Sequence, residues 1–305
     1  MAVLGQSVPS KAENIDYIVT FGKDASGSWG DDDYSQVFFF AIPETFKEPF
    51  YIRVFDPDCG GMHDQINKQF NTKTTYTLYG GEGTFKNKAA INVNPVSGYK
   101  SGVELASETF GIDEDLDNNW YSFGPINPNE GEYDANLKAR VFKLITEGIS
   151  GDDGNMYRYF LSKSRNENIE ILGANAFTYE YTFRLKEASG TQAYFYPFVD
   201  KNTVKIIQHN FDFDNDGAIK VYSSIKNGHY SNFSNDGNWS SGTHSVEKEE
   251  QGKSMNIRLI KRGTFLNDMT LYITNEYNIP VPLFATPLGG MPKYVYKVDV
   301  KYKTK

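Results

Sequence analysis

The 305-residue sequence contains one cysteine, Cys59, and four histidines, His63, His209, His229 and His244. A lone thiol excludes an intrachain disulfide and any thiolate metal centre built within one chain, so Cys59 is read as a small packed side chain. The histidines fall in no zinc spacing, and the GxSxG, Walker A and GxGxxG patterns are all missing. Basic charge is also short. With 31 Lys and Arg against 39 Asp and Glu the formal charge is -8, which argues against nucleic-acid phosphate as a partner, since such binding needs a clustered basic face. No apolar run approaches the roughly 20 residues of a transmembrane helix, and the mean hydropathy is -0.53. The opening MAVLGQSVPSK lacks the charged and apolar regions of a signal peptide, so the chain is either cytosolic or has lost its signal.

What is abundant is aromatic. Tyr 21 and Phe 22 raise the aromatic fraction to 15%, and these residues gather with β-branched ones in short runs bounded by Gly, Asn, Asp and Ser, the composition of strands and turns. An all-β protein is expected, built as sandwiches or jelly rolls. The run QVFFFAIPETFKEPFYIRVFDPDCGG at 36–61 aligns without a gap on QAYFYPFVDKNTVKIIQHNFDFDNDG at 192–217. TFGKDASG at 20–27 resembles TFRLKEASG at 182–190, and KLITEG at 143–148 resembles RLIKRG at 258–263. Three matches in the same order predict an internal duplication: two tandem β-sandwich domains, 1–174 and 175–305, the first with an insertion near 80–135. FTYEYTF at 177–183 either closes the first or opens the second. Within each matched block the pattern predicts a hairpin, FFFAIP with FYIRVF and YFYPFV with TVKIIQH. Further strands are expected at 76–80, 120–124, 139–146, 219–224, 254–261 and 294–302, and a short helix at 63–70.

The stretch NFDFDNDG at 210–217 places Asp212, Asp214 and Asp216 at alternate positions before a glycine. Three carboxylates so spaced repel unless a cation lies among them, and the spacing fits the first half of a calcium loop. Ser223 stands where an EF-hand has its glutamate, so the loop is not an EF-hand. The first copy keeps Asp56 and Asp58 but has Gly60 in third place. The predicted hairpin would bring Asp56 beside Val37 and Asp58 beside Ser35, so that Asp31, Asp32 and Asp33 supply the missing oxygens. Weaker candidates are GIDEDLDNNW at 111–120, with Asp113, Asp115 and Asp117, and SGDDGN at 150–155, with Asp152 and Asp153. Solvated turn chemistry is the alternative for any of these loops.

Trp29, Trp120 and Trp239 sit among Gly, Asp, Asn and Ser. An exposed loop tryptophan stacks on a sugar or anchors a protein, and Trp29 and Trp239 are the candidates for that role. The alternative is that each closes an end of its sandwich, with Trp120 the one expected to be buried. The combination of FDFDNDG, SGDDGN and repeated aromatic strands resembles the calcium-binding jelly-roll and sandwich modules of secreted or outer-surface bacterial proteins, of the pre-peptidase C-terminal and P-domain types. That resemblance implies a non-catalytic module that stabilises, displays or attaches a surface protein or glycan. Two further readings stay open: a carbohydrate-binding module using the loop tryptophans, and a glycan-active hydrolase with a carboxylate pair. Because loops of this kind bind calcium near 0.1–1 mM in extracellular modules, an extracellular, cell-surface or periplasmic location is expected.

Overall fold

The computed structural model describes residues 6–93 and 99–296. It is all-β, and three short 3-10 turns are its only helical elements among the described residues. Eight long strands make up the first half: β1 (Tyr17–Phe21), β2 (Ser35–Pro43), β3 (Phe50–Phe55), β4 (Lys73–Gly80), β5 (Val103–Phe110), β6 (Trp120–Ile126), β7 (Ala139–Ser150) and β8 (Gly154–Ser162). Eight more follow: β9 (Glu180–Leu185), β10 (Gln192–Phe195), β11 (Lys205–Phe211), β12 (Gly217–Tyr222), β13 (Asn227–Ser231), β14 (Trp239–Ser245), β15 (Asn256–Lys261) and β16 (Asn267–Asn275).

The first half has one sheet ordered β1-β8-β3-β6 and another ordered β2-β7-β4-β5. The second half reads β9-β16-β11-β14 and β10-β15-β12-β13, the same orders with eight added to every number. Both pairs of sheets have the arrangement of an eight-stranded jelly roll, whose antiparallel strands alternate between layers. The three sequence matches fall on corresponding strands and connections. β1 pairs with β9 through Ile18 and Phe183 and through Tyr17 and Arg184, so one sheet runs unbroken across both halves.

The hairpins expected at 36–55 and 192–211 are not formed. β2 pairs with β7, and β3 with β8 and β6, so β2 and β3 lie in different sheets. Period-2 alternation reports which face is buried and not which strand is the partner. Phe38, Phe40 and Ile42 of β2 and Phe50, Ile52 and Val54 of β3 share one core from opposite layers. β2 reads as a continuous apolar run because its other face is covered too: Phe39 and Ala41 join Phe177, Tyr179 and Phe284, with Phe85 and Ile91 packed over them. Those last two belong to the β4–β5 connection, residues 81–102, where the second half has only residues 223–226.

The helix expected at 63–70 is not formed, and the Asp153 carboxylate pins this segment and the residues that follow it. Asp153 accepts hydrogen bonds from the N–H groups of Asn67 (2.7 Å), Asn71 (2.7 Å) and Thr72 (3.1 Å). The segment 177–183 is divided: Asn175–Thr178 pairs with β2, whereas Glu180–Leu185 is β9 and pairs with β16 and β1. The strand expected at 294–302 falls largely outside the described residues.

The cores of the halves are continuous through Phe38, Tyr181, Phe183 and Phe195, with the Phe38 and Tyr181 rings 5.1 Å apart. At the seam Arg184 pairs with Asp268 at 2.6 Å and also donates to Gln65. The β1–β2 connection crosses over to the second half, where Thr270 Oγ1 donates to the Gly30 carbonyl at 2.8 Å.

Candidate metal centres

Each half places three carboxylates around one point. In the first, ligand atoms of Asp56, Asp58 and Asp117 lie within 4.8 Å of one another, and in the second those of Asp212, Asp214 and Asp236 do. Two acids come from the loop after β3 or β11 and the third from the loop before β6 or β14. The sequence of that second loop repeats: Asp117-Asn118-Asn119-Trp120 against Asp236-Gly237-Asn238-Trp239.

The backbone geometry repeats with it. Asp56 and Asp212 take left-handed φ values of 58 and 60°, a conformation that Asp tolerates better than most residues. The Asp56 N–H donates to the Asn119 carbonyl at 2.9 Å, and the Asp212 N–H to that of Asn238 at 3.3 Å. In return, Asp56 Oδ1 accepts from the Asn118 N–H at 2.9 Å and Asp212 Oδ1 from the Gly237 N–H at 2.6 Å. Phe55 packs on Trp120 with centroids 5.3 Å apart and Phe211 on Trp239 at 5.2 Å, clamping the two loops together.

The first cluster is the more deeply buried. Asp56 and Asp58 are 0% and 1% exposed. Asp56 Oδ2, Asp58 Oδ1 and Asp117 Oδ1 are buried and make no hydrogen bond. Burial without a partner is costly for a carboxylate. It raises the carboxyls of Asp56 and Asp58, the latter to about 6, the neighbouring acids adding to the rise. A hard cation would satisfy all three oxygens, so the residues fit one. In the second cluster burial pushes Asp212 up to about 7 and raises Asp214, while Asp214 and Asp236 face solvent.

Asp64 holds the first loop against β8. Its oxygens accept from the N–H groups of Gly60 (2.7 Å) and Met156 (2.6 Å), and burial lifts its carboxyl to about 9. Gly61 is required where it stands: its φ is +72°, and a Cβ there would sit 1.7 Å from Asp117 Oδ1.

Several residues singled out from the sequence lie elsewhere. Asp31, Asp32 and Asp33 do not join Asp56 and Asp58, because β2 and β3 are in different sheets: Ser35 pairs with Glu147 and Val37 with Ile145. Asp31 Oδ1 accepts from the Tyr34 N–H at 3.0 Å and Asp33 Oδ1 from the Ser35 N–H at 3.0 Å. Burial raises both, Asp33 to about 6. Asp216 Oδ1 accepts from the Gly263 N–H at 2.6 Å and is outside the second cluster, where Asp236 takes the third position. Asp153 serves as the loop clamp described above, and Asp152 Oδ2 accepts from Asn67 Nδ2 at 2.8 Å. Trp29 is half-buried against Phe21, centroids 5.8 Å apart. Trp239 packs on Tyr272 and donates its indole N–H to Asp32 Oδ2 at 2.7 Å. Asp117 was a weaker candidate in the sequence and Asp236 was missed as a ligand. The repeated Asp-x-Asn-Trp signature is the signal that could have found both.

A cleft of about 400 Å³ lies among Phe85, Phe177, Phe198 and Phe284. Its two carboxylates, Asp134 and Asp200, accept hydrogen bonds from backbone N–H groups of their own turns. His209 stacks on Tyr272 at 4.3 Å, and burial lowers it to about 4, which keeps the ring neutral. No helix among the described residues is long and apolar enough to cross a membrane.

No family model matches the sequence, and a search of curated proteins gives no match. Among solved structures, the chain is similar to the infectious bursal disease virus VP2 subviral particle at 8% identity. That match covers 93% of this chain and 77% of the other, with a TM-score of 0.17. It is similar also to the viral particle of the same virus at 8% identity, over 90% and 74% of the two chains, with the same TM-score of 0.17. Similarity at that level supports no inference.

Proposed function

We propose that the chain is a non-catalytic, calcium-stabilised module that binds or assembles at the exterior of a cell. The observation that carries this reading is the trio of buried, unpartnered carboxylate oxygens on Asp56, Asp58 and Asp117. The choice of calcium rests on the donor set, which is all oxygen with no imidazole or thiolate and comes from two loops in each half. Six to eight oxygens surround calcium, so carbonyls and water would complete each shell. The repetition of the cluster in both halves fits descent from one duplicated jelly roll. Extracellular calcium stands high enough to fill loops of such affinity and cytosolic calcium does not, which favours a location outside the cell or in the periplasm.

The test is calorimetric titration of metal-stripped protein with calcium. Two sites of submillimolar to millimolar affinity are expected, one removed by Asp58→Asn and the other by Asp214→Asn. Absence of binding, or a stronger response to magnesium, would reject the assignment.

A further inference from the structure

The two Asp-x-Asn-Trp corners have the same frame and differ in what meets the tryptophan. At Trp239 the indole N–H donates to Asp32 at 2.7 Å. This carboxylate is delivered by the β1–β2 connection, residues 22–34, which also places Ser28 against Gly237. The corresponding β9–β10 connection is residues 186–191, 6 residues against 13, and its Lys186 ends on Asp16. Nothing equivalent covers Trp120, whose indole N–H donates to no described residue.

A groove of about 460 Å³ opens there instead, walled by Arg53, Asn119, Trp120, Ser122, Arg165 and Asn166, with Asp115 also among its lining residues. Arg53 lies over the Trp120 ring, 4.7 Å from its centroid, and is 4% exposed. Its Nε donates to Ser122 Oγ at 3.3 Å and its Nη1 to Asn168. Among the described residues no carboxylate lies within ion-pair distance of it. A buried guanidinium lacking a direct ion pair is costly, and the charge of Glu167, beyond ion-pair distance, offsets that cost only in part. The corner itself does not require that charge: two residues before the clamping phenylalanine the second half has the neutral His209 in place of Arg53, and His209 Nδ1 meets Ser241 Oγ at 2.9 Å as Arg53 meets Ser122.

We infer that the Trp120 groove is a binding site for an acidic glycan, with the carboxylate of a uronic acid taking at Trp120 and Arg53 the place that Asp32 holds at Trp239. Arg165 supplies a second guanidinium at the wall. The amide oxygen of Asn119 and the side chain of Asn166 can meet ring hydroxyls, and the size falls within the usual range of ligand pockets. A short acidic peptide would satisfy the cations as well, so the two ligands are compared directly. This inference rests on the calcium reading, because Asp117 sits three residues before Trp120 and fixes the loop.

The experiment is titration of the full chain, at saturating calcium, with short galacturonic acid oligomers while Trp fluorescence is followed. The same oligomers reduced at the carboxyl and a glutamate-rich peptide are run beside them. Saturable binding of the uronate oligomers is expected, weakened about tenfold or more in Trp120→Phe, which keeps the ring and loses the N–H. The exposed Arg165→Ala gives a second variant should the first fold poorly, with a similar loss. Absence of saturable binding, equal binding of the reduced oligomers, undiminished affinity in both variants, or tighter binding of the peptide would each overturn the proposal. A calcium-dependent shift in melting of the parent chain, measured separately, separates failure of the groove from failure of the metal sites.

Discussion

Calcium should raise the melting temperature by an amount that follows from the two clusters. At about 10 mM calcium and dissociation constants near 0.1–1 mM, a ligand that binds only the folded chain adds roughly 1.4–2.7 kcal/mol per site. For 305 residues, an unfolding entropy of about 2.1 cal/mol/K per residue gives roughly 0.64 kcal/mol/K, so each site contributes about 2–4 °C and both about 4–8 °C. The assay is differential scanning calorimetry in calcium and in chelator. Asp58→Asn adds a test of sign. Burial and the charges of Asp56 and Asp117 push the Asp58 carboxyl up to about 6, so its ionised form opposes folding at neutral pH. Removing the charge should leave melting in chelator unchanged or higher, because an amide oxygen still accepts the Asp113 N–H. It should also cut the calcium increment by about half. A calcium shift below about 1 °C, or an equal drop for Asp58→Asn in calcium and in chelator, would refute the reasoning.

Gly61→Ala should abolish the first site's share of the calcium shift, since its Cβ would collide with the Asp117 carboxylate; an unchanged shift would remove Asp117 from the site. Arg184→Ala leaves Asp268, 4% exposed as a side chain, without its ion-pair partner at the seam. Urea unfolding should then show a loss of about 3–5 kcal/mol. Glu13 is buried beside the Ser10 N–H, and burial lifts its carboxyl from 4.5 to about 8. A raised carboxyl stabilises the fold fully below the unfolded value and loses that contribution as the pH rises through the folded one. Glu13→Gln should therefore match the parent near pH 5 and exceed it near pH 9, by up to about 4–5 kcal/mol at 1.36 kcal/mol per pH unit. Denaturation curves at the two pH values decide it.

The sequence made the all-β class legible because strands such as β1, β3, β8 and β16 alternate or run apolar under cover. It did not reveal β5, β13 and β14. VELASETF, NGHYS and WSSGTHS lie at sheet edges with much of their length exposed, so their side chains carry little hydrophobic pattern. Two of the three acids in each metal cluster are visible in the sequence because Asp56 with Asp58, and Asp212 with Asp214, are neighbours in one loop. The third acid arrives from another loop, after a strand that crosses between layers, and no local spacing records that crossing. The error over Asp31–Asp33 had the same root. Alternation in β2 and β3 is compatible with a hairpin, but both strands face one core from opposite sheets.

The asymmetry of the two corners gives a final test of which group selects a ligand. Asp32→Ala would uncover Trp239 by removing the carboxylate that meets its indole N–H, and a charge-assisted hydrogen bond of this kind is worth about 1.5–3 kcal/mol. Thr270 would still hold the Gly30 carbonyl, so the connection should stay in place. The exposed corner would then present an indole N–H, Ser241 and a neutral His209, but no guanidinium. If the cation at Trp120 is the determinant, Asp32→Ala should bind no uronate oligomer at Trp239, whereas Asp32→Ala with His209→Arg should gain a second, weaker site. Binding in the single variant equal to that at Trp120 would mean that the indole and the loop amides suffice, and that Arg53 is buried for another reason.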